Sequence, residues 1–383
     1  MIYLDNAATT LHKPPQTLKA LVEALNTFGN SSRGTHSVSL GAAFSVYETR
    51  VKIARLFNCP KPEFAAFTLN ATHALNIAVN GLLEKGDHVI TTDCEHNSVL
   101  RPLYRLEEAG LITLSFLKTD AQGRADYLSI PEYVNSRTKA VICTHASNVT
   151  GNMADLEAIG RLTRERGLLF IVDASQTAGF ADIDMQKMNI DVLCYTGHKG
   201  LMGPQGTGGI CLGGPLSIKP LYCGGTGVQS HNKRQPEQMP TLLEAGTLNS
   251  HGLAGLSASL DFIEETGLAN IREKEQRLTE LFLRQLQDCQ GLTLYGDLTA
   301  PQRAPLVSLN IADLSSGTAA DILAQQYDIA VRPGIHCAPR MHEALGTAER
   351  GTVRFSFSYF NTEGEVKQAV QAVREIAKTV KRQ

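Results

Sequence analysis

The sequence predicts an α/β protein built on a mainly parallel sheet, and three observations point there. Between about Phe64 and Gly213, short apolar runs alternate with longer segments of helical period, the pattern of strand, crossover helix and strand. Several of these runs are near-continuously apolar, as strands covered on both faces are. Polar and charged residues stand immediately after the runs, where a parallel sheet binds its ligands.

The predicted strands are AAFTL (65–69), HVITTD (88–93), ITLSFL (112–117), AVICTHA (140–146), LLFIVDA (168–174), DVLCYTG (191–197) and TGGICLG (207–213). Between them, THALNIAVNGLLEKG reads as a helix stopping at Gly86, and DLEAIGRLTRERG as one stopping at Gly167, each glycine suited to a helix C-terminus. The polar stretch CGGTGVQSHNKRQPEQMP (223–240) is too long for an ordinary connection and reads as a functional loop. A charged helix near 268–288 opens a second, smaller unit of mixed helix and strand, which closes with a helix from Thr362 to Lys381.

A chain of 383 residues fits two unequal domains, each with its own core. Its 36 basic and 38 acidic residues nearly cancel, so no general field draws it to nucleic acid or an anionic membrane. A small-molecule substrate is expected. The opening MIYLDNAATTLHKP has neither a basic leader nor an apolar core, and no apolar stretch spans a bilayer, so a soluble, cytoplasmic protein is expected. Eight cysteines without a CxxC pair argue against a disulfide framework or a zinc knuckle. Cys143 and Cys194 lie in apolar runs and read as small buried hydrophobes. Glu95-His96 lacks the HExxH spacing and the other histidines do not cluster, so no metal site is expected.

The residues after the strands are Asn70 and Thr72, Glu95 and His96, Asn148, Asp173 and Gln176, then His198 and Lys199. Together they describe a site for a polar, planar, anionic cofactor. In NATHALN a strand gives way to a helix whose free amides, with the Thr72 hydroxyl, suit a phosphate; a plain N-cap uses the same residues. Asp173 ends an apolar strand, where a carboxylate needs a cation such as a protonated pyridine nitrogen, or else caps the next turn. Lys199 lies in the glycine-rich YTGHKGLMGPQGTGG, where partial burial turns a lysine into a nucleophilic amine. The GxxxxGK[ST] pattern of nucleotide loops is absent there. His96 suits stacking on an aromatic ring or exchanging protons, and Asn148 and Gln176 are amides able to bond a phenolic oxygen. In VRPGIHCAPRMH, Cys337 stands near Arg332 and His336, whose positive charge favours a thiolate. Arg354 interrupts the apolar strand of GTVRFSFSYFN and should face a carboxylate.

These stretches resemble the class V aminotransferase group of fold-type I pyridoxal-phosphate enzymes, and within it the cysteine desulfurases of the SufS-like branch. The resemblance runs nearly end to end: YLDNAATT (3–10), RGTHS (33–37), NATHALN (70–76), EHNS (95–98), SNVTG (147–151), VDASQTAG (172–179), TGHKGLMGPQGTG (196–208), EAGTLN (244–249), RPGIHCAP (332–339) and VRFSFSYFNT (353–362). It implies a large domain, 14–258, with a mainly parallel seven-stranded sheet. A smaller α/β domain, 1–13 and 259–383, would carry the Cys337 loop.

By position, the resemblance implies that Lys199 carries pyridoxal 5′-phosphate as a Schiff base, Asp173 pairs the pyridine nitrogen and His96 stacks on the ring. Ala71, Thr72, Thr196 and His198 would hold the phosphate, and Asn148 and Gln176 would contact substrate or the ring oxygen. Thr247 would reach the phosphate of a neighbouring subunit, which implies a homodimer. Arg354 would bind the substrate carboxylate, Cys337 would accept sulfur, and His36 and Arg332 would line the mouth. The implied reaction converts L-cysteine to L-alanine with a persulfide on Cys337, and a flexible cysteine loop would pass the sulfur to an acceptor protein. Selenocysteine lyase, aminotransferase and β-eliminating lyase are the alternatives on the same scaffold, and a non-catalytic carrier-binding module is the alternative outside catalysis. Two departures stand out: Ile335 replaces a histidine of the branch's RxGHHCA, and Ala71 replaces a hydroxyl residue at the phosphate.

Overall fold

The computed structural model describes residues 1–32 and 34–380; Arg33 of the RGTHS stretch and the expected helix end Lys381 lie outside them. The chain opens with β1 (Ile2–Tyr3), α1 (Pro15–Thr27) and α2 (Ser37–Leu56). The alternating region follows as β2 (Ala65–Thr68), α3 (Ala71–Leu82), β3 (His88–Thr92), α4 (Asn97–Glu108), β4 (Thr113–Leu117), α5 (Ile130–Tyr133), β5 (Thr138–Thr144), α6 (Leu156–Glu165), β6 (Leu169–Asp173), β7 (Val192–Thr196) and β8 (Gly208–Leu212). Then come α7 (Ser250–Thr266), α8 (Leu268–Leu286), β9 (Leu292–Tyr295), β10 (Leu306–Ile311), α9 (Ser316–Tyr327) and β11 (Ile329–Ala330). The chain continues through β12 (Arg332–Gly334), α10 (Pro339–Ala344), β13 (Thr352–Ser356) and α11 (Glu363–Val380).

All seven expected strands form one sheet in the order β2-β8-β7-β6-β5-β3-β4. Neighbours from β7 to β4 pair in parallel, whereas β8 runs antiparallel to both β7 and β2. The reason lies in the Gly197–Thr207 connection: a parallel return needs a crossover of about a dozen residues or more, usually a helix, and this link is a coil of turns. Two reversals leave β2 parallel to the rest, so the carboxyl ends of β2, β3, β5, β6 and β7 share one rim. Alternate residues of each strand feed different cores. Val141, Phe170, Val172 and Leu193 join one, and Ile142, Ile171, Val192 and Ile210 the other. Cys143 and Cys194 are fully buried among them.

The helix expected over 72–86 ends at Leu82, because Leu83 turns extended and the Glu84 amide bonds Asp87 Oδ2 at 2.7 Å. Gly86 and Gly167 both take positive φ, 98° and 64°, just past their helices, so the stop signals hold and the helices end earlier.

The later residues build a four-stranded antiparallel sheet, β12-β13-β10-β9, covered by α8, α9 and α11. Its core includes Phe282, Val307, Leu309, Phe355, Val366 and Val373. β1 pairs in parallel with β11, and Asp5 bridges to Ser356, which ties the N-terminus to this sheet. From there the chain crosses to the large sheet's rim: Thr10 N bonds the His198 carbonyl at 3.0 Å and Thr10 Oγ1 the Lys199 carbonyl at 2.9 Å. Lys13 Nζ adds a bond to the His198 carbonyl at 3.1 Å. No helix among the described residues is long and apolar enough to cross a membrane.

Candidate active site

Lys199 stands in the turn after β7, held by the N-terminal segment, at a cleft of about 470 Å3 on the rim of the large sheet. Ala71, Thr72, His96, Asn148, Asp173, Gln176, Thr196 and His198 line the same cleft. Nine of the expected site residues therefore converge on one cavity, although 128 positions separate Ala71 from Lys199 in the chain (199 − 71). The cause is the parallel topology, which returns every β-to-α turn to the same edge.

Each wall has a distinct chemistry. The β2 end is capped by Asn70, whose side chain accepts from the His73 amide at 3.0 Å. That leaves the Ala71 and Thr72 amides, at the start of α3 and without a helix carbonyl to bond, in residues that line the cleft. Thr196 Oγ1 is buried and has no partner, as is Asn148 Oδ1. Such orphans are costly unless a ligand satisfies them. Asp173 is 3% exposed. Ser175 bonds its Oδ1 through both the amide and the hydroxyl, so Oδ2 remains for a cation.

His96 caps α4. Its Nδ1 accepts from the Ser98 amide at 3.0 Å and lies 2.8 Å from Ser98 Oγ, which lies 2.7 Å from Thr72 Oγ1. Burial, reinforced by the charges of Lys199 and Arg354, drives its pKa down to about 4 against the pull of Asp173. The ring is therefore neutral at pH 7, and the bond at Nδ1 assigns its proton to Nε2. Burial, then the positive charge of Arg354, lowers Lys199 to about 8. His198 is pushed to about 4, first by burial, and its Nδ1 lies 3.1 Å from Thr9 Oγ1. Glu95 points away from the cleft into the sheet edge, where Oε1 accepts from Thr92 Oγ1 and the Thr144 amide and burial raises its pKa to about 8.

Arg354 meets the carboxylate expected of it, that of Asp5. Arg354 Nη2 lies 3.3 Å from Oδ1 and Arg332 Nε 3.0 Å from Oδ2, so one carboxylate holds both arginines. Arg354 Nη1 bonds the Asn148 carbonyl at 3.0 Å, while its Nε is buried without a partner. Burial lowers its pKa only to about 10, so it stays charged.

Cys337 is exposed and lines a second cavity that shares Thr72, His96 and Ser98 with the first. One expectation about it is corrected. His336 does not supply positive charge: its ring is buried, Nε2 lies 3.1 Å from both Thr352 O and Oγ1, and burial drives its pKa to about 2. Arg332 shares the single Asp5 carboxylate with Arg354. Arg101 and Arg105 of α4 line the same cavity as the thiol and add positive charge there. The connection that carries the cysteine is short. Only 335–338 separate β12 from α10, and Asn97 N bonds the Cys337 carbonyl at 2.7 Å while Asn148 Nδ2 bonds the His336 carbonyl at 2.6 Å.

His36 and Thr247 do not join the cleft of their own chain. His36 is exposed and caps α2, and Thr247 is exposed beside Leu69, Tyr222 and Asn249. Sequence reasoning missed Ser98, Ser175, Thr144 and Asp5. The first three lie within two residues of a recognised position or end a recognised strand, which was a usable signal.

A model of the family described as aminotransferase class-V matches residues 2–369. The chain is 35% identical over 384 residues to a probable cysteine desulfurase of Methanothermobacter thermautotrophicus, covering 98% of this chain and 94% of the relative. A probable cysteine desulfurase of Pyrococcus abyssi is 32% identical over 396 residues, covering 100% and 95%. Among solved structures, the apo cysteine desulfurase from Thermococcus onnurineus NA1 is similar with a TM-score of 0.92 at 32% identity, over 99% of this chain and 95% of that one. The cysteine desulfurase CsdA of Escherichia coli, described as S-sulfonic acid, gives 0.88 at 28% identity, over 98% and 94%.

Proposed function

This chain belongs to the class V aminotransferase family, and from that premise we propose that it is a pyridoxal 5′-phosphate-dependent cysteine desulfurase. The observation that carries the reading is the pair of adjoining cavities: Lys199, Asp173 and His96 line one, Cys337 the other, and His96 lies in both.

The residues fit the cofactor. The Ala71 and Thr72 amides, Thr196 Oγ1 and His198 would hold its phosphate, Asp173 Oδ2 its pyridine nitrogen, and Lys199 its aldehyde carbon; Gln176 and Asn148 would face its ring oxygen or the substrate. Bound there, pyridoxal 5′-phosphate supplies an electron sink for the α-carbon of an amino acid. Lys199, an amine near pKa 8, is suited to take the α-proton. Arg354 would hold the substrate carboxylate through its unpartnered Nε. Neutral His96 presents Nε2–H and can regain a proton at Nδ1 through the Ser98 and Thr72 hydroxyls. The Cys337 thiolate attacks the substrate sulfur: an S–S bond forms, the C–S bond breaks, and the carbon keeps the electron pair and leaves, after protonation, as alanine.

His36 and Thr247 would serve the partner's cleft in a homodimer. Exposed apolar side chains of α1 (Leu18, Val22, Leu25) and of α2 (Phe44), the helix that His36 caps, support such a face. A cytoplasmic location, a division at 14–258 against 1–13 and 259–383, and a protein acceptor for the sulfur complete the proposal. The test is incubation with L-cysteine and with selenocysteine, scoring alanine and the mass of the Cys337 peptide. Cys337→Ala that still releases alanine and sulfide from cysteine at the native rate refutes the desulfurase reading.

A further inference from the structure

The turn that carries Cys337 is not self-supporting. His336 and Cys337 are consecutive non-glycine residues with positive φ, 50° and 56°, a conformation that side chains disfavour. The helix that follows, α10, has six residues, too few to hold itself together in water. Something outside the segment must fix it.

Besides the Asn97 and Asn148 bonds to the turn's carbonyls, the side chain that anchors the segment is Arg340, on the first turn of α10. Its Nε donates to Asp93 Oδ1 at 2.8 Å, Nη2 lies 2.8 Å from the same oxygen, and Nη1 reaches Tyr104 Oη at 3.3 Å. Its guanidinium carbon sits 3.6 Å from the centroid of the Phe116 ring. The Asp93 side chain is 7% exposed, and its other cation, Lys118, is 3.6 Å away on a side chain 71% exposed. A planar guanidinium that forks onto a carboxylate and stacks on a ring at once is a contact lysine cannot copy. Asp93 lies three residues before His96, and Arg340 three after Cys337.

We propose that Arg340 is a positioning residue that sets the approach of the Cys337 sulfur to the His96 side of the cleft, which rests on the reading of Cys337 as the sulfur acceptor. With the Asn97 amide on the Cys337 carbonyl, the Arg340 contact makes a second tie between the two walls. The thiol thus meets substrate at a fixed position instead of swinging into place.

The test uses the holoenzyme with Arg340→Gln, Arg340→Lys and the paired Asp93→Asn/Arg340→Gln, which leaves no buried carboxylate unpaired should the single variant fail to fold. Three quantities are read: single-turnover persulfide formation on Cys337 by mass, the Kd of L-cysteine from the absorbance of bound cofactor, and hydrogen exchange over 335–345. In the Gln variants persulfide formation falls roughly 10- to 100-fold, as for an ångström-scale misplacement, while Kd moves by no more than about twofold and exchange accelerates. Arg340→Lys falls between. A native rate of persulfide formation in a folded Gln variant overturns the proposal, as does a Kd that weakens in step with the rate. Cys337→Ala separates the two claims: undiminished alanine formation there sinks the functional reading, whereas the exchange data and Cys337 alkylation rates still decide the clamp.

Discussion

Replacing Arg354 by Gln tests how the site selects its substrate. Two edges of the guanidinium are committed to the protein, Nη1 to the Asn148 carbonyl and Nη2 to Asp5, while Nε is buried with no acceptor. A substrate carboxylate placed there satisfies an orphan donor and gains a charge-assisted bond worth about 1.5–3 kcal/mol. Losing it weakens binding by about 10- to 150-fold, at about 1.4 kcal/mol per factor of ten. Asp5 keeps Arg332 at 3.0 Å, so the variant does not strand that carboxylate. The assay compares L-cysteine with cysteamine, which has the same amine and thiol and no carboxylate, through the Kd read from bound cofactor. Cysteine binding should weaken by the stated factor and cysteamine binding should barely change. Equal weakening of both would show that Arg354 acts through the general shape of the site and not through the carboxylate.

Three further outcomes follow from the site. Glu275 is buried in α8 with its pKa raised to about 8, first by burial, so above about pH 4.5 the unfolded chain has released a proton that the native state still holds. Stability should therefore fall by about 1.4 kcal/mol per pH unit for this group up to about pH 8; thermal melts of Glu275→Gln should show a shallower decline, and an unchanged slope refutes the assignment. In the apoprotein, capture of pyridoxal 5′-phosphate should quicken about tenfold per pH unit and level off near 8, where Lys199 is half deprotonated. Stopped-flow absorbance that keeps rising to pH 10 would exclude this. Ser98→Ala removes the hydroxyl between His96 and Thr72 and should lower kcat by roughly 3- to 10-fold with KM unchanged, the mark of a group acting in the reaction and not in binding.

The sheet was legible because strands covered on both faces are near-continuously apolar, as AVIC of β5, LFIV of β6 and VLC of β7 are. Direction is not written in apolarity. The reversal of β8 depends on the length and turns of the Gly197–Thr207 link, and it showed only once the strands were paired. The cleft was legible for a related reason: in a parallel sheet the residue after each strand is delivered to one rim, so the sequence alone brings Thr72, His96, Asp173 and Lys199 together. His36 and Thr247 show the limit of that rule, since neither follows a strand of the large sheet and neither reaches the cleft of its own chain.

Charge state was the harder inference. His336 beside Cys337 looks like a cation in sequence, yet it folds against Thr352 in a buried pocket and stays neutral. Proximity along the chain says which groups are neighbours, and burial, which is collective, decides whether they are charged. The same holds for Asp5, which meets Arg354 across 349 positions, and for Arg340, which meets Asp93 across 247. Arg354 of β13 meets the N-terminal segment that runs on to the His198 and Lys199 carbonyls, and Arg340 of α10 meets the residue that follows β3, so each joins the region of the smaller sheet to a segment that borders the cleft. On the proposed reading, the site would draw its cofactor contacts from the rim of the large sheet and its substrate and sulfur contacts from the region of the smaller one. The strand-end pattern points to the first set, whereas the partners of the second, Asp5 for Arg354 and Asp93 for Arg340, emerge only from the packing of distant segments.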